Sequence, residues 1–362
     1  MKSTVGDEAL VSWFSELTNA DRDTVGGKGA SLGELQSAGL PVPPGFVVTT
    51  AGFREAEHEW DPEGELTTAI EAVDPADLNA LQEVALAARN RVKTAPIPQK
   101  VKLAISEAYE QLQQLHPGPV AVRSSATAED GDDASFAGLQ DTILWVLDIN
   151  DTLEAIRACW ASMYTDESIA YRRRLALPES EIAMGVVVQV MVNARAAGVM
   201  FTRSPTTGDK SVVAIESSWG LGSALVSGEV TPDKYTVSKV TGTVTKKVVS
   251  PKTIRHVPNK EKSGVCVEAV PEDMEQVPSL TSDQIQTLWE MARRAEKHYG
   301  KPVDIEWAVD EGATDSGGVK LLQCRPETIW STKEEAQITA PGTDAMSLVF
   351  NLYSGGHKKT HS

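Results

Sequence analysis

The sequence predicts an α+β fold whose second half is largely antiparallel sheet. The run MGVVVQVMV at 184–192 is apolar and rich in β-branched residues, which is typical of a strand buried on both faces. YTVSKVTGTVTKKVV, which begins at Tyr235, alternates around Gly242 as a β-hairpin does, whereas 282–299 has the apolar spacing of a long helix. Strands and helices in mixed order, without a repeat of fixed period, favour the α+β class.

The first half of the chain predicts helices around a few buried strands. Residues 24–40 form a glycine-rich turn and a short amphipathic helix, and PVPPGFVVTT then leads into a strand that ends near Thr50. The stretch 65–115 has helical spacing, interrupted by the prolines of APIP. VAVRSSATAED starts at Val120 as a buried strand and continues as a polar loop, and 151–175 is again helical.

The second half adds further strands to this outline. AAGVMFTR, from Ala196, and SVVAIESSWG, from Ser211, are two strand candidates that follow the apolar run. VDIEWAVD and VKLLQCRP are predicted to pair with each other across the turn-rich segment 311–318. The residues from about Gln337 onward are polar and weakly patterned, which indicates a tail or linker.

Composition excludes several classes of protein. The chain of 362 residues is 41% apolar and 23% charged, as folded globular proteins are. Its formal net charge of −17 disfavours nucleic acid as a partner, although a local basic cluster can still bind a small anion. No segment approaches the roughly 20 apolar residues of a spanning helix, so no membrane association is expected.

Cysteine usage and the N-terminus predict a cytoplasmic protein. Cys159, Cys266 and Cys324 are far apart in sequence and form no CxxC pair, so reduced thiols are the simplest interpretation. The first residues, MKSTVGDEALVSWF, contain early acids and no sustained apolar run, unlike a signal peptide.

Two basic residues stand in contexts suited to phosphate. Lys28 lies between glycines in VGGKGASLGEL, where small residues let the backbone approach an anion and the ammonium supplies a point charge. The segment lacks the order of a Walker loop, and a glycine turn capping a helix is an equal alternative. Arg123 ends an apolar strand and is followed by hydroxyls, acids and a small-residue run, which suits forked binding of phosphate by a loop that closes.

Alternation along the last two predicted strands brings four polar groups together. Asp304 and Glu306 share one face of VDIEWAVD, and Gln323 and Arg325 share one face of VKLLQCRP. Glu306 and Gln323 offer the hard oxygens that Mg²⁺ prefers, and Arg325 offers charge that stabilises phosphoryl transfer. A structural salt bridge is the alternative.

Two other segments are less specific. SSWGLGSALVSGEVTPDKY, from Ser217, is a glycine-rich loop that fits a tight connection between lobes as well as it fits ligand contact. His357 and His361 have a metal-ligand spacing only if the tail is helical, and the two glycines just before His357 argue against a helix there.

Taken together, these segments resemble the N-terminal nucleotide-binding domain shared by phosphoenolpyruvate synthase, pyruvate phosphate dikinase and rifampin phosphotransferase. The resemblance runs from about Asp23 to Trp330 and rests on seven blocks in family order: VGGKGASLGEL, VPPGFVVTT, AVRSSATAED with SFAGLQDT, GVMFTR, WGLGSALVSGEVTPD, EKHYGKPVDIEW and LLQCRPET. It implies a two-lobed ATP-grasp-like fold. We therefore expect a first lobe over 1–187, a second lobe with the Mg-ATP site over 188–335, and a tail or linker over 336–362.

The resemblance also implies roles for individual residues. It makes Lys28 and Arg123 contacts to the phosphates of ATP and places Gly138 and Thr142 on the loop that covers them. The remaining residues it implicates are Gln189 beside the nucleotide, Glu306 and Gln323 as Mg²⁺ ligands with Gln323 also facing ATP, and Arg325 at the phosphates during transfer. Without the resemblance, Gln189 would be interpreted as a core amide with its hydrogen bonds satisfied.

One feature of the family is missing from the sequence. Its enzymes continue into a domain whose catalytic histidine follows a Gly-Gly and Thr-Cys-His type motif, and no histidine of this chain lies in such a context. The expectation is that a separate subunit carries the phosphohistidine. This arrangement resembles phenylphosphate synthase, which converts phenol, ATP and water to phenylphosphate, AMP and phosphate. The alternatives are a detached ATP domain of phosphoenolpyruvate synthase, with pyruvate as acceptor, and a nucleotide-sensing module without turnover.

Overall fold

The protein is built on two antiparallel sheets. A computed structural model describes residues 6, 8–127, 130–131, 134–135, 142–312, 318–328 and 330. From one edge to the other, the first sheet consists of Val11–Trp13, Gly45–Val48, Met184–Val190, Val120–Ala126 and Thr142–Val146. The second consists, in the same way, of Val244–Val248, Asp233–Ser238, Val212–Trp219, Ala194–Phe201, Val303–Asp310 and Val319–Pro326. Helices cover both sheets, which confirms the predicted α+β class.

The first sheet and its helices occupy the first half of the chain. Its strands, with a separate two-stranded ribbon formed by β4 and β5, are β1 (Val11–Trp13), β2 (Gly45–Val48), β3 (Val120–Ala126), β4 (Asp130–Gly131), β5 (Ala134–Ser135), β6 (Thr142–Val146) and β7 (Met184–Val190). Its helices are α1 (Arg22–Ser37), α2 (Thr50–Trp60), α3 (Glu65–Ala72), α4 (Leu78–Thr94), α5 (Gln99–Leu115), α6 (Ile149–Ser162) and α7 (Asp166–Arg174).

These helices form where apolar residues recur at three- and four-residue intervals. In α5 the buried residues are Val101, Ile105, Ala108, Tyr109 and Leu112, all on one face. Together with buried residues of α2, α4 and α6, they form the largest apolar core against the first sheet. The predicted helical stretch 65–115 is therefore three helices, and its last break lies at the predicted prolines.

The second sheet occupies the second half. Its strands and the separate hairpin of β12 and β13 are β8 (Ala194–Phe201), β9 (Val212–Trp219), β10 (Asp233–Ser238), β11 (Val244–Val248), β12 (Ile254–Pro258), β13 (Val265–Ala269), β14 (Val303–Asp310) and β15 (Val319–Pro326). The helices here are α8 (Ser223–Val226), α9 (Glu272–Glu275) and α10 (Ser282–Tyr299). Thr281 caps the start of α10 in a capping box, and Gly300, with φ 68°, ends it.

The chain crosses from one sheet to the other between Val190 and Ala194. The expected boundary between residues 187 and 188 falls inside β7, because Gln189 still pairs with Gly45 and Ala121 in the first sheet. The first sheet therefore reaches Val190, and the second sheet starts at Ala194. The predicted tail, 336–362, lies outside the described residues.

Two elements join the lobes away from this crossing. Helix α1 packs its Leu35 into the core of the second sheet, and the Ser31 hydroxyl donates to the carbonyl of Cys324 on β15. The β12–β13 hairpin reaches back to the first lobe, where the Gly264 N–H donates to the Trp145 carbonyl at 3.0 Å. The two halves of the chain are thus in contact at two further places.

A buried ion pair anchors the chain beyond β11 to the second sheet. Lys252 Nζ lies 2.6 Å from Asp233 Oδ1, and both side chains are 0% exposed. The second oxygen of Asp233 accepts hydrogen bonds from the N–H and hydroxyl of Ser279, each at 2.8 Å. Such a pair is sensitive to loss of either partner, because the remaining charge stays buried.

Across the described residues, no helix has both the length and the apolar character needed to cross a bilayer. The three cysteines are unpaired: Cys159 and Cys324 are buried and Cys266 is exposed.

Candidate functional site

A cleft of about 340 Å³ lies between the two sheets. Its walls come from β3, β6 and β7 of the first lobe and from β8, β14 and β15 of the second. Every predicted site residue that the structure describes lines it: Lys28, Arg123, Thr142, Gln189, Glu306, Gln323 and Arg325. Residues separated by up to about three hundred positions in sequence therefore meet at one place. Gly138, the remaining predicted residue, lies outside the described residues.

Lys28 is positioned by a tight contact between α1 and β3. The α1 helix is broken at Gly26, whose φ of 73° and lack of a side chain are both required, because a Cβ there would lie 1.9 Å from the Ser125 carbonyl oxygen. The Ser125 hydroxyl donates to the Val25 carbonyl at 2.8 Å and accepts from the Gly29 N–H at 3.1 Å. The glycine turn thus caps a helix and also presents the largely buried Lys28 to the cleft.

Arg123 spans the cleft from the first lobe to the second. Its Nη1 donates to the Leu322 carbonyl at 2.7 Å. Its Nη2 donates to Gln323 Oε1 at 2.5 Å and lies 3.3 Å from Glu306 Oε2. Since the side chain is only 9% exposed, these are the contacts of a nearly desolvated guanidinium. Arg123 thus contacts both of the residues, Glu306 and Gln323, that the resemblance assigns as Mg²⁺ ligands.

The predicted juxtaposition on the last two strands is confirmed by their register. Glu306 pairs with Gln323 and Asp304 pairs with Arg325 across β14 and β15, with an irregularity directly after Glu306. Gln323 is buried, Glu306 is partly exposed and Arg325 is exposed toward the cleft. The alternative of a structural salt bridge also describes part of the arrangement, because Glu306 is paired with Arg123.

Asp304 is a polar residue of this strand pair to which the sequence assigned no role. Its Oδ1 is buried and has no hydrogen-bond partner among the described residues. Burial raises the pKa of Asp304 to about 6, against the opposing effect of Arg325 and with a smaller contribution from Glu327. Its position two residues before Glu306 was the available signal, since alternate residues of a strand share a face.

Gln189 and Thr142 occupy the first-lobe side of the cleft. Gln189 is 2% exposed and its Nε2 donates to the Pro43 carbonyl at 3.1 Å, so it is a satisfied core amide that also borders the cleft. Thr142 opens β6 and pairs in register with Arg123. Both residues border the cleft.

Apolar side chains also line the cleft. Its lining includes Leu144, Val190, Val192, Ala197, Leu221, Val226 and Leu322. Gly198 also faces it, and a Cβ at this position would lie 1.9 Å from the Glu216 carbonyl oxygen and 2.9 Å from the Trp307 ring. A cleft lined by both cationic and apolar side chains suits a ligand that has a charged part and a flat, weakly polar part.

The glycine-rich loop predicted from Ser217 reaches the cleft. Leu221, Gly222 and Ser223 line it, so ligand contact is compatible with the loop's position between the lobes. Gly220, with φ 77°, lets the loop pass close to β12, where a Cβ would lie 2.4 Å from the His256 carbonyl oxygen. Ser223 could not be selected from the sequence pattern, because its partner His256 is 33 residues away.

The donor set on β14 and β15 fits a magnesium ion. In the part of the chain that the structure describes, no group of three or more His, Cys, Asp or Glu side chains is arranged so that it could hold a metal ion. Glu306 and Gln323 instead supply one carboxylate and one amide oxygen at adjacent cross-strand positions. Mg²⁺ is commonly held by one or two protein oxygens while phosphates and water complete its shell.

A known protein family matches most of the chain. Residues 22–345 match the family described as pyruvate phosphate dikinase, AMP/ATP-binding domain. The chain belongs to that family. This confirms the resemblance drawn from the seven sequence blocks, and it makes the cleft the candidate site for the nucleotide that the family's description names.

Curated relatives agree with this assignment. The chain is 40% identical over 354 residues to a probable phosphoenolpyruvate synthase of Methanocaldococcus jannaschii, covering 96% of this chain and 29% of that protein. It is 38% identical over 368 residues to the phosphoenolpyruvate synthase of Pyrococcus furiosus, covering 90% and 44%. A rifampicin phosphotransferase of a Streptomyces species is 40% identical over 320 residues, covering 88% and 36%. The chain therefore spans less than half the length of these relatives.

Proposed function

We propose that this chain binds Mg-ATP in the cleft and donates the β,γ-phosphoryl groups to a histidine on a partner subunit, releasing AMP. The observation that carries the proposal is the convergence of Lys28, Arg123 and Arg325 with Glu306 and Gln323 on one cleft. The gathering of three cations at one cleft, in a chain of net charge −17, favours an anionic ligand there. A nucleotide-sensing module, the non-catalytic alternative, would not need the full set.

In this proposal the cationic side chains bind the phosphates, and Glu306 and Gln323 bind the metal ion. Lys28 and Arg123 hold phosphate oxygens, and Arg325, exposed toward the cleft, stabilises charge that develops as the histidine nitrogen attacks the β-phosphorus. That attack forms an N–P bond and breaks the bond from the β-phosphorus to the bridging oxygen, which leaves with AMP. Glu306 and Gln323 would hold Mg²⁺, which supplies neutralisation of the phosphates. Arg123 contacts both of these residues, so its guanidinium and a metal ion would compete for the same oxygens.

The proposal requires a histidine from elsewhere. Among the residues that the structure describes, no histidine lines the cleft. A domain or subunit carrying the histidine would therefore have to travel to the opening beside Arg325. The greater length of the curated relatives supports the existence of such further domains in the family.

Two acceptors are candidates for the phosphoryl group after the histidine. Pyruvate is favoured by the names of the relatives, two of which are called phosphoenolpyruvate synthase or probable phosphoenolpyruvate synthase. Phenol follows from the proposal that the histidine sits on a separate subunit, as in phenylphosphate synthase. The acceptor would be bound by the partner, so this chain's cleft does not distinguish the two.

The test mixes the purified chain with a histidine-bearing partner, Mg-ATP and either phenol or pyruvate, and measures AMP. AMP that forms only with the partner supports the proposal, and the acceptor that increases AMP identifies the reaction. ATP binding with no AMP under any combination would favour the sensing module. AMP formed equally without a partner would contradict the split arrangement.

A further inference from the structure

Three polar side chains form a chain of hydrogen bonds that ends at the wall of the cleft. The hydroxyl of Ser223, which lines the cleft, lies 2.8 Å from His256 Nδ1. The other ring nitrogen of His256, Nε2, lies 3.3 Å from Glu229 Oε2. His256 is 8% exposed, whereas Glu229 is at the surface, so the chain runs from solvent to the cleft through a buried imidazole.

The backbone around this chain is fixed independently of the side chains. The Leu221 N–H donates to the His256 carbonyl at 2.9 Å, which attaches the glycine-rich loop to β12. Gly220 permits the close approach, because any Cβ there would lie 2.4 Å from the same carbonyl oxygen. The position of Ser223 at the cleft is therefore set by main-chain contacts, and its side-chain partners determine only how its hydroxyl is oriented.

The chemistry of the partners determines that orientation. A carboxylate accepts hydrogen bonds and cannot donate them, so Nε2 of His256 carries the proton that faces Glu229. In the neutral imidazole Nδ1 is then an acceptor, and the Ser223 hydroxyl must donate to it. The lone pairs of the Ser223 oxygen are left to face the cleft.

Hydrogen bonds keep the carboxyl group of Glu229 ionised. The Ser227 hydroxyl donates to Glu229 Oε1 at 2.7 Å. This bond above all, together with the contact to His256, lowers the pKa of Glu229. The carboxylate therefore stays ionised and remains an acceptor for Nε2–H.

We propose that Ser223 is a specificity-determining residue that accepts a hydrogen bond from the non-phosphate part of the bound nucleotide, and that His256 and Glu229 are its positioning residues. The donor on the nucleotide is either a ribose hydroxyl or an exocyclic amino group, since both are N–H or O–H donors outside the phosphates. The proposal rests on the proposed function, because it assigns a role within the same nucleotide site. Under this proposal the ligand needs a hydrogen-bond donor outside its phosphates, which the charged residues of the cleft do not require.

The experiment compares nucleotides that lack one donor each. Dissociation constants of ATP, 2′-deoxyATP, 3′-deoxyATP and inosine triphosphate are measured by calorimetry for the wild type, Ser223→Ala and Ser223→Thr. A net hydrogen bond is worth about 1 kcal/mol, so the wild type should bind the analogue without the donor about fivefold more weakly than ATP. Ser223→Ala should bind that analogue and ATP equally, and Ser223→Thr should restore the ratio. Ser37→Ala, a serine outside the cleft lining, is the matched control.

The positioning residues have their own readout. His256→Phe removes both ring nitrogens and leaves the Ser223 hydroxyl free to rotate. The dissociation constant of the analogue divided by that of ATP should therefore fall. This ratio should not fall further in the double variant with Ser223→Ala. A purely structural role would weaken ATP and the analogue by the same factor. Glu229→Ala, at the surface, removes the acceptor for Nε2–H and tests the same step if His256→Phe does not fold, and His116→Gln is the control.

Each outcome decides between the possibilities. If the wild type binds a deoxy analogue more weakly than ATP and Ser223→Ala binds the two equally, the donor is a ribose hydroxyl. The same result with inosine triphosphate assigns the donor as the exocyclic amino group. A wild type that binds all four nucleotides equally, or a ratio unchanged in Ser223→Ala, would overturn the assignment of Ser223 while leaving ATP binding in place. A wild type that binds no ATP at all would overturn the proposed function itself.

Discussion

Replacing Arg123 by methionine should change the affinities for a divalent cation and for ATP in opposite directions. The Arg123 guanidinium lies 3.3 Å from Glu306 Oε2 and donates to Gln323 Oε1 at 2.5 Å. Those two oxygens are the proposed metal ligands. Methionine removes the competing cation from them and also removes a proposed contact to phosphate, while keeping a side chain of similar length.

The size of each change follows from the exposure of the pair. Glu306 is 30% exposed, so its attraction to Arg123 is partly screened; a value of about 1–2 kcal/mol corresponds to about five- to thirtyfold tighter binding of the cation. A hydrogen bond from a charged donor contributes about 1.5–3 kcal/mol, so ATP should bind about ten- to a hundredfold more weakly.

The assay uses Mn²⁺ as a paramagnetic substitute for Mg²⁺. Free Mn²⁺ is titrated by electron paramagnetic resonance without nucleotide, and ATP binding is measured separately by calorimetry. Arg91→Met is the matched control, because Arg91 also lies 3.3 Å from a carboxylate, that of Glu65, but in the helical layer of the first lobe. That variant should leave both affinities unchanged.

The opposite signs make this prediction easy to refute. An Arg123→Met variant that binds Mn²⁺ no more tightly than the wild type would remove Glu306 and Gln323 as the metal site. Unchanged ATP affinity would remove Arg123 from the phosphate site. A parallel loss of both affinities would indicate that the variant has disturbed the fold of the cleft.

Three further predictions follow from the same structure. Arg325→Ala should abolish AMP formation and leave ATP binding by calorimetry measurable, because the exposed guanidinium acts on the transferring groups; unchanged AMP formation would exclude it. Lys252→Met should lower the free energy of unfolding by about 3–5 kcal/mol in urea titrations, since Asp233 would stay buried and uncompensated, and the double variant with Asp233→Asn should recover part of the loss. Burial raises the pKa of Asp304 from 3.8 to about 6, so its contribution to stability is full below its ordinary pKa and is lost as pH rises through about 6; Asp304→Asn should remove that part of the pH dependence, and an identical slope would contradict it.

Much of the fold could be predicted because apolar periodicity reports which face of an element is buried. Helix α10 occupies the predicted 282–299, and β7 occupies most of the predicted apolar run. The facing of Glu306 and Gln323 could be predicted as well, because alternation along two paired strands fixes which side chains share a face. Local pattern was sufficient where neighbours in sequence decide the outcome.

Contacts between distant segments could not be predicted in the same way. The Arg123 bond to Gln323 joins residues 200 positions apart, and the Ser125 clamp on the Lys28 turn joins residues about a hundred apart. These contacts depend on how the two sheets pack, and periodicity carries no information on that packing. The expected boundary between residues 187 and 188 lies inside β7, because a continuous apolar run does not show where its strand ends.

The family resemblance supplied what the residue pattern left open. Gln189 is the clearest example, since its buried strand gave no indication that the side chain borders a cleft. Ser223 and His256 show the opposite case. Neither the pattern nor the resemblance selected them, and only the distance between their side chains reveals the contact.

The most direct measurement of the central claim follows the β-phosphorus of ATP. The chain is incubated in a single turnover with Mg²⁺, a histidine-bearing partner and ATP labelled at the β-phosphorus. The account predicts acid-labile, base-stable label on the partner and AMP in equal amount, because the histidine attacks the β-phosphorus. Label that remains in ADP, with only γ-labelled ATP marking the partner, would show that this chain donates a single phosphoryl group and would contradict the account.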